Sequence, residues 1–120
     1  MNLNLLKKIA SKSTHSRNNH AVIILKGNRI LSTGYNHGDI HAEIMAIKRA
    51  SRANEGNRKF SKNSLYNATL ISFMSRRITS TIGVSRPCGN CLRAITLEGI
   101  RRVIYFDGRD FVSRILSINK

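Results

Sequence analysis

His41-Ala42-Glu43 and Pro87-Cys88-Gly89-Asn90-Cys91 constrain this chain more than any other feature. Together they supply one imidazole, two thiolates and a spare carboxylate. Three protein ligands around a tetrahedral zinc leave one position open, which separates catalytic from structural zinc. A carboxylate beside that open position is what an activated water needs, because something has to take its proton and pass it on. His41, Cys88 and Cys91 are therefore the candidate metal ligands, Glu43 is the candidate catalytic residue, and a single Zn2+ is the expected cofactor.

Composition narrows the class. The chain has 120 residues, 41% of them apolar, which suits one domain over residues 1–120 with a modest core. No apolar run approaches the ~18 residues of a membrane span. Residues 1–11 mix Leu5, Leu6, Ile9 and Ala10 with lysines and are too polar for a signal peptide. An intracellular, cytoplasmic protein with no membrane partner is expected. The two cysteines sit in one C-x-x-C with no export signal nearby, which favours metal or redox use over a disulfide. Twenty-one basic residues against six acidic ones leave a net charge of +15. Such an excess attracts polyanions and makes the attraction salt-sensitive. It also sharpens the reading of Glu43, since carboxylates are scarce and this one follows a candidate ligand closely.

Periodicity places these motifs. Residues 3–12 have the spacing of an amphipathic helix, and the β-branched run at residues 20–26 reads as a buried strand. Gly27-Asn28 turns the chain into a second strand at 29–33, and Gly34 to Gly38 read as a loop. A helix is expected over 41–52 with Asp39 as its N-cap, then a basic loop over 51–63 and a strand over 68–74. Residues 76–86 form a longer loop, with a strand extension at 78–82 as an option. Pro87 suits the start of a third helix that Gly99 ends. A strand follows at 102–106. In the tail, 110–118, Phe111, Val112, Ile115 and Leu116 favour a helix, with a strand as the alternative. The expected fold is α/β: a three-layer α-β-α sandwich around a mixed sheet of four to five strands, with a strand-helix-strand crossover around the cysteines. Both ligand sets then fall at helix N-termini, where partial positive charge stabilises thiolates.

The motifs and their order resemble the cytidine and deoxycytidylate deaminase superfamily over roughly residues 20–106. HAVIILKGNRILSTGYN resembles the opening hairpin of deoxycytidylate and tRNA-type deaminases. HAEIMAIKRA is similar to the first zinc helix, and SRPCGNCLRAITLEGIRRVIY to the second zinc helix and the strand after it. The resemblance implies a cytidine deaminase-like fold and hydrolytic deamination of a nucleobase amine. The substrate it implies is cytosine, in a nucleotide or a single-stranded nucleic acid, with tRNA adenosine as the alternative. It further implies that Asn36 contacts a sugar hydroxyl, that the backbone at Ala42 reads the base edge, and that Arg86 and Pro87 border the substrate, with Arg86 either near a phosphate or solvated. Relatives are commonly oligomers, so a homo-oligomer of two or more chains is expected. Departures leave the subfamily open. The loop at 76–86 is long, the insertion with extra cysteine and histidine ligands is absent, and the C-terminal helices of the tRNA enzymes are mostly missing.

Two blander readings compete. A thioredoxin-like redox pair explains the cysteines but neither His41 nor Glu43. A structural zinc held by His37, His41 and both cysteines would close the site and suit a non-catalytic zinc-binding nucleic-acid-binding module. It leaves Glu43 idle. Tyr35 is expected in the core, and His15 and His20 as ordinary loop and strand-end residues.

Overall fold

Alternation along the first strand decides how the layers stack. In the computed structural model, which describes residues 3–14, 17–55 (51–55 as backbone only), 65–76 and 81–116, β1 spans Asn18–Lys26. Successive strand side chains point to opposite faces. Ala21 and Ile23 pack with Leu6, Ile9 and Ala10 of helix α1 (Leu3–Ala10). Val22 and Ile24 face the other way, onto Ala42, Ala46 and Ala50 of α2 (Ala42–Glu55) and Ile95 of α3 (Gly89–Leu97). The strand is a continuous apolar run because both its faces are covered. The three-layer arrangement follows, with α1 on one face and α2 and α3 on the other.

The remaining strands are β2 (Arg29–Tyr35), β3 (Thr69–Arg76), β4 (Thr81–Gly83), β5 (Arg102–Phe106) and β6 (Phe111–Ile115). They order as β2-β1-β3-β5-β6, with β4 paired to β3. Only β3 and β5 run parallel among these pairs, and α3 crosses between them. The mixed sheet and the crossover are as expected. It has six strands among the described residues instead of four to five, because β4 and β6 both pair.

The tail does not form the helix its apolar residues favour. Asp107 Oδ1 accepts from the backbone N–H groups of Arg109 and Asp110, at 2.9 and 3.0 Å. Gly108 takes φ +107° in the same turn. This Asp-Gly turn folds the chain back on β5, so that Tyr105 pairs with Val112 and Phe106 with Phe111. The two phenylalanine rings meet at 5.3 Å.

Other boundaries shift for local reasons. Gly34 and Tyr35 belong to β2, paired with Val22 and Ala21, and not to a loop. Helix α2 opens at His41, whose carbonyl accepts from Met45 N–H at 3.0 Å, so Asp39 lies outside it and does not cap it. The helix runs on to Glu55, past the expected end. Pro87 precedes α3 instead of opening it: Cys88 is the N-cap, and its Sγ accepts from Cys91 N–H at 3.5 Å. Gly99, at φ +80°, ends α3 in the left-handed conformation glycine tolerates. The expected loop over 56–63 and the option of a strand at 78–80 fall outside the described residues. No helix among the described residues is long and apolar enough to cross a membrane.

Gly34 sets the distance between α2 and the sheet. A Cβ there would lie 2.3 Å from the Ala42 carbonyl oxygen and 2.7 Å from Ala46 N. Gly34→Ala therefore forces α2 off β2. It is expected to destabilise the protein by about 1–3 kcal/mol, the range for overpacking, measured as a lowered urea midpoint. Because α2 begins beside His41, the same variant should also bind metal more weakly.

Candidate metal centre

The sheet brings two distant segments to one place. Strand β1 is antiparallel to both β2 and β3, and Ala21 pairs with Tyr35 on one side and Phe73 on the other. The carboxyl ends of β2 and β3 therefore emerge together, next to the start of β1. Ligand sites in open α/β sheets form at such strand ends. From β2 the chain reaches the N-terminus of α2, and beyond β3 and β4 it reaches the N-terminus of α3.

At that junction His41 Nδ1, Cys88 Sγ and Cys91 Sγ all lie within 4.8 Å of one another. The Nδ1–Sγ separations are 3.9 Å to Cys88 and 3.2 Å to Cys91. Bonds of ~2.3 Å to sulfur and ~2.0–2.1 Å to nitrogen, at a tetrahedral angle, put the two donors roughly 3.5 Å apart. The observed distances bracket that value. Thiolates with an imidazole are a soft donor set that suits zinc. Burial pushes the Cys91 thiol far above its ordinary range, and the Glu43 carboxylate and Cys88 push it the same way. A thiolate there calls for a cation, which the donor set is built to hold.

His37 does not join the cluster. It pairs with Ile40 in an isolated backbone bridge, and its ring stands edge-on to Tyr35, 6.5 Å between centroids. Among the described residues the converging donors number three.

Glu43 lies in the first turn of α2 and is 2% exposed. Its Oε1 is buried without a hydrogen-bond partner and faces His20 Nδ1 at 3.5 Å. An unpaired buried carboxylate is costly. His20 is no ordinary strand-end residue: it is buried, with Nε2 2.6 Å from Ser72 Oγ. Burial holds its pKa below the ordinary histidine value; the Glu43 carboxylate pulls it upward and His41 adds to the lowering. The sequence carried a signal for this. Residues 20, 22 and 24 share a strand face, and Val22 and Ile24 are core beneath α2.

A cavity of about 530 Å³ opens beside the cluster, lined by His20, Asn36, Gly38, Ile40, His41 and Met74 with Asn18 and Asp39. Asn36 is held in place. Its Oδ1 accepts from His20 N–H at 2.9 Å and from the Ser13 hydroxyl, and its Nδ2 donates to the Asn18 carbonyl at 3.0 Å. Ala42 is wholly buried against β2, and Pro87 is buried beside the cysteines. Arg86 sits with its guanidinium 5.5 Å from the centre of the Tyr105 ring. Tyr35 packs against the α1-side core, with Arg49 stacked 5.2 Å from its ring centre.

Residues 2–107 match the cytidine and deoxycytidylate deaminase zinc-binding region. The chain belongs to this family. Its cofactor is zinc, and the His-Cys-Cys cluster is where these residues can hold it. No curated protein sequence matches the chain. Among solved structures it is similar to the diaminohydroxyphosphoribosylaminopyrimidine deaminase/5-amino-6-(5-phosphoribosylamino)uracil reductase of Thermotoga maritima. That match has 25% identity and a TM-score of 0.57, and covers 84% of this chain and 27% of the other. A dCMP deaminase from cyanophage S-TIM5 matches at 18% identity and TM-score 0.60, over 83% of this chain and 75% of its own. RibD of Acinetobacter baumannii matches at 20% identity and TM-score 0.51, over 82% and 24%. The last two likenesses are of fold. This chain spans about a quarter of the Thermotoga and Acinetobacter proteins and three quarters of the cyanophage one.

Elemental analysis of the purified protein should give close to one zinc per chain. Cys91→Ser should empty the site, and a chelator should lower the melting temperature of the wild type but not of that variant. His20 adds a pH dependence to the metal-free protein. Its folded pKa is depressed, so the unfolded chain takes up a proton first as pH falls below about 6.5. Stability is full above that pH and is lost towards the folded value, with a slope of at most about 1.4 kcal/mol per pH unit. Urea melts with chelator present, between pH 7.5 and 5, should show this slope flattened in His20→Asn.

Proposed function

We propose that this chain hydrolytically deaminates the cytosine of a nucleotide, giving uracil and ammonia. The observation that carries the reading is the buried Glu43 carboxylate, its Oε1 without a hydrogen-bond partner, next to three convergent metal donors. A fold does not keep such a group for stability, and a proton-transfer role accounts for it. Zinc in the cluster would supply the Lewis acidity that lowers the pKa of a water to about 7. His41, Cys88 and Cys91 hold the ion, and no fourth side chain among the described residues converges with them.

Glu43 takes a proton from the attacking water as its oxygen bonds to C4 of the ring, and delivers that proton to the ring nitrogen. It then carries a second proton to the exocyclic amine, the C–N bond breaks, and ammonia leaves. The cavity volume falls in the range of small-molecule sites and suits a single nucleotide. One Asn36 Nδ2 hydrogen is used on the Asn18 carbonyl, so the second can meet a sugar hydroxyl at the cavity wall. The backbone at Ala42 borders the base, and Pro87 closes the site next to the cysteines. Arg86 stays on Tyr105 in this arrangement, and a phosphate contact would require it to swing away. Membership of the cytidine and deoxycytidylate deaminase family supports a cytosine nucleotide as substrate.

The zinc-loaded protein is to be incubated with cytidine, deoxycytidylate, a cytosine-containing single strand and an adenosine stem-loop, following ammonia and the base change. Deoxycytidylate or cytidine should react. Reaction of the stem-loop alone would replace cytosine with adenine as the target. No reaction with any of the four, at full zinc occupancy, would sink the deaminase reading. Glu43→Gln should lose at least about 10²–10⁴-fold in kcat, the usual worth of a positioned acid–base, while keeping its zinc. The net charge of +15 adds a salt test. Affinity for the single strand should fall about 10³-fold or more between 50 and 200 mM salt if several phosphates are contacted, and turnover of the free nucleotide should change far less.

A further inference from the structure

His20 stands against Oε1 of the buried Glu43 carboxylate and also reaches the cavity wall. It reaches there from β1, through the core, and its far nitrogen is anchored. Ser72 Oγ lies 2.6 Å from His20 Nε2 and 2.7 Å from the Ser85 carbonyl oxygen. A hydroxyl has one hydrogen, and a carbonyl can only accept. Both contacts are hydrogen bonds only if Ser72 donates to Ser85 and Nε2 donates to Ser72. Ser85 is itself locked. Its hydroxyl donates to the Ser72 carbonyl at 2.8 Å and accepts from Phe106 N–H at 2.9 Å, and its N–H donates to the Phe106 carbonyl at 2.9 Å. The network ties β1, β3 and β5 to the segment entering the cysteine motif. It ends on backbone groups, so it is an anchor and not a path along which protons could leave.

The anchor determines the tautomer. With the hydrogen on Nε2, a neutral His20 turns a bare Nδ1 lone pair towards Glu43 Oε1. Two acceptors stand apart at the observed 3.5 Å, and they close to a hydrogen bond when a proton lies between them. Building on the deaminase reading, we infer that His20 is a positioning residue: held by Ser72 as the Nε2–H tautomer, it accepts from Oε1 when Glu43 carries the proton taken from water, and leaves the other carboxylate oxygen of Glu43 to face the metal donors. Buried surroundings favour the neutral ring this requires.

Side-chain geometry separates this role from simple packing. Asparagine places a polar atom where Nδ1 stands and so keeps the contact with Glu43. Glutamine reaches towards Ser72 and loses the contact with Glu43. Leucine fills the space and keeps neither. The experiment compares His20→Asn, His20→Gln and His20→Leu for melting temperature, zinc content, kcat and KM on the nucleotide the wild type turns over. In parallel, ¹⁵N NMR of the ring reads the tautomer in wild type and Glu43→Gln, with and without zinc.

Among variants that stay folded and zinc-loaded, Leu and Gln should lose about 10–100-fold in kcat, the scale for groups that orient a metal site, with KM within about twofold. Asn should recover most of that loss. The ring should be the Nε2–H tautomer with and without zinc, and its Nδ1 resonance should move in Glu43→Gln. An Nδ1–H tautomer, an Nδ1 resonance indifferent to residue 43, equal kcat in wild type and Leu, or a loss confined to KM would each overturn the inference. A zinc-loaded wild type inactive on every substrate would overturn the deaminase reading and any catalytic role for His20 with it. An active wild type with an unimpaired Leu variant would overturn the positioning role alone.

Discussion

Two helix N-termini meeting over one end of the sheet are the constraint on which the rest of this structure depends. The meeting follows from strand direction. Because β1 is antiparallel to both its neighbours, β2 and β3 leave the sheet on the same side. The parallel β3–β5 pair then requires a crossover, and α3 supplies it. His41 and the two cysteines, far apart in the chain, become neighbours by topology. The partial positive charge at each helix start favours the thiolates. Gly34 holds α2 against β2 closely enough for the two starts to touch.

The site inverts the usual logic of a core. Cys91 and Glu43 are buried together, and burial and the Glu43 carboxylate both work against the Cys91 thiolate. A divalent cation offsets this. Glu43 then keeps an Oε1 without a hydrogen-bond partner, two residues from His41 on the wall of the cavity. Membership of the cytidine and deoxycytidylate deaminase family gives that arrangement its chemistry. The chain's own contribution is the support behind Glu43: a histidine from the core strand, fixed by two serines that also pin the approach to the cysteine motif.

Much of this was legible in the order of residues. Short β-branched runs declared β1, β3 and β5, and the i, i+3, i+4 spacing of small and apolar residues declared α2. The ligand set needed only residue type and spacing, because a soft donor set with an adjacent carboxylate has few other uses. What escaped depended on partners remote in sequence. The apolar residues of the tail fit either periodicity, and Asp107 and Gly108 decided for a strand by turning it onto β5. Tyr35 sits in β2 because Ala21 was there to pair with it. Ser72 and Ser85 look like unremarkable polar residues until β3 and the cysteine approach lie side by side.

The sequence by itself determined the ligand chemistry, the family and the layer order, since these rest on residue identity and on local periodicity. Only the tertiary structure decided that three donors and not four converge among the described residues, that His37 turns to Tyr35, that Arg86 lies on Tyr105, and that His20 stands against Glu43. The physical reason is the same in each case. A side chain's partner across the sheet is fixed by register and packing distance, and neither is written in the spacing of residues along the chain.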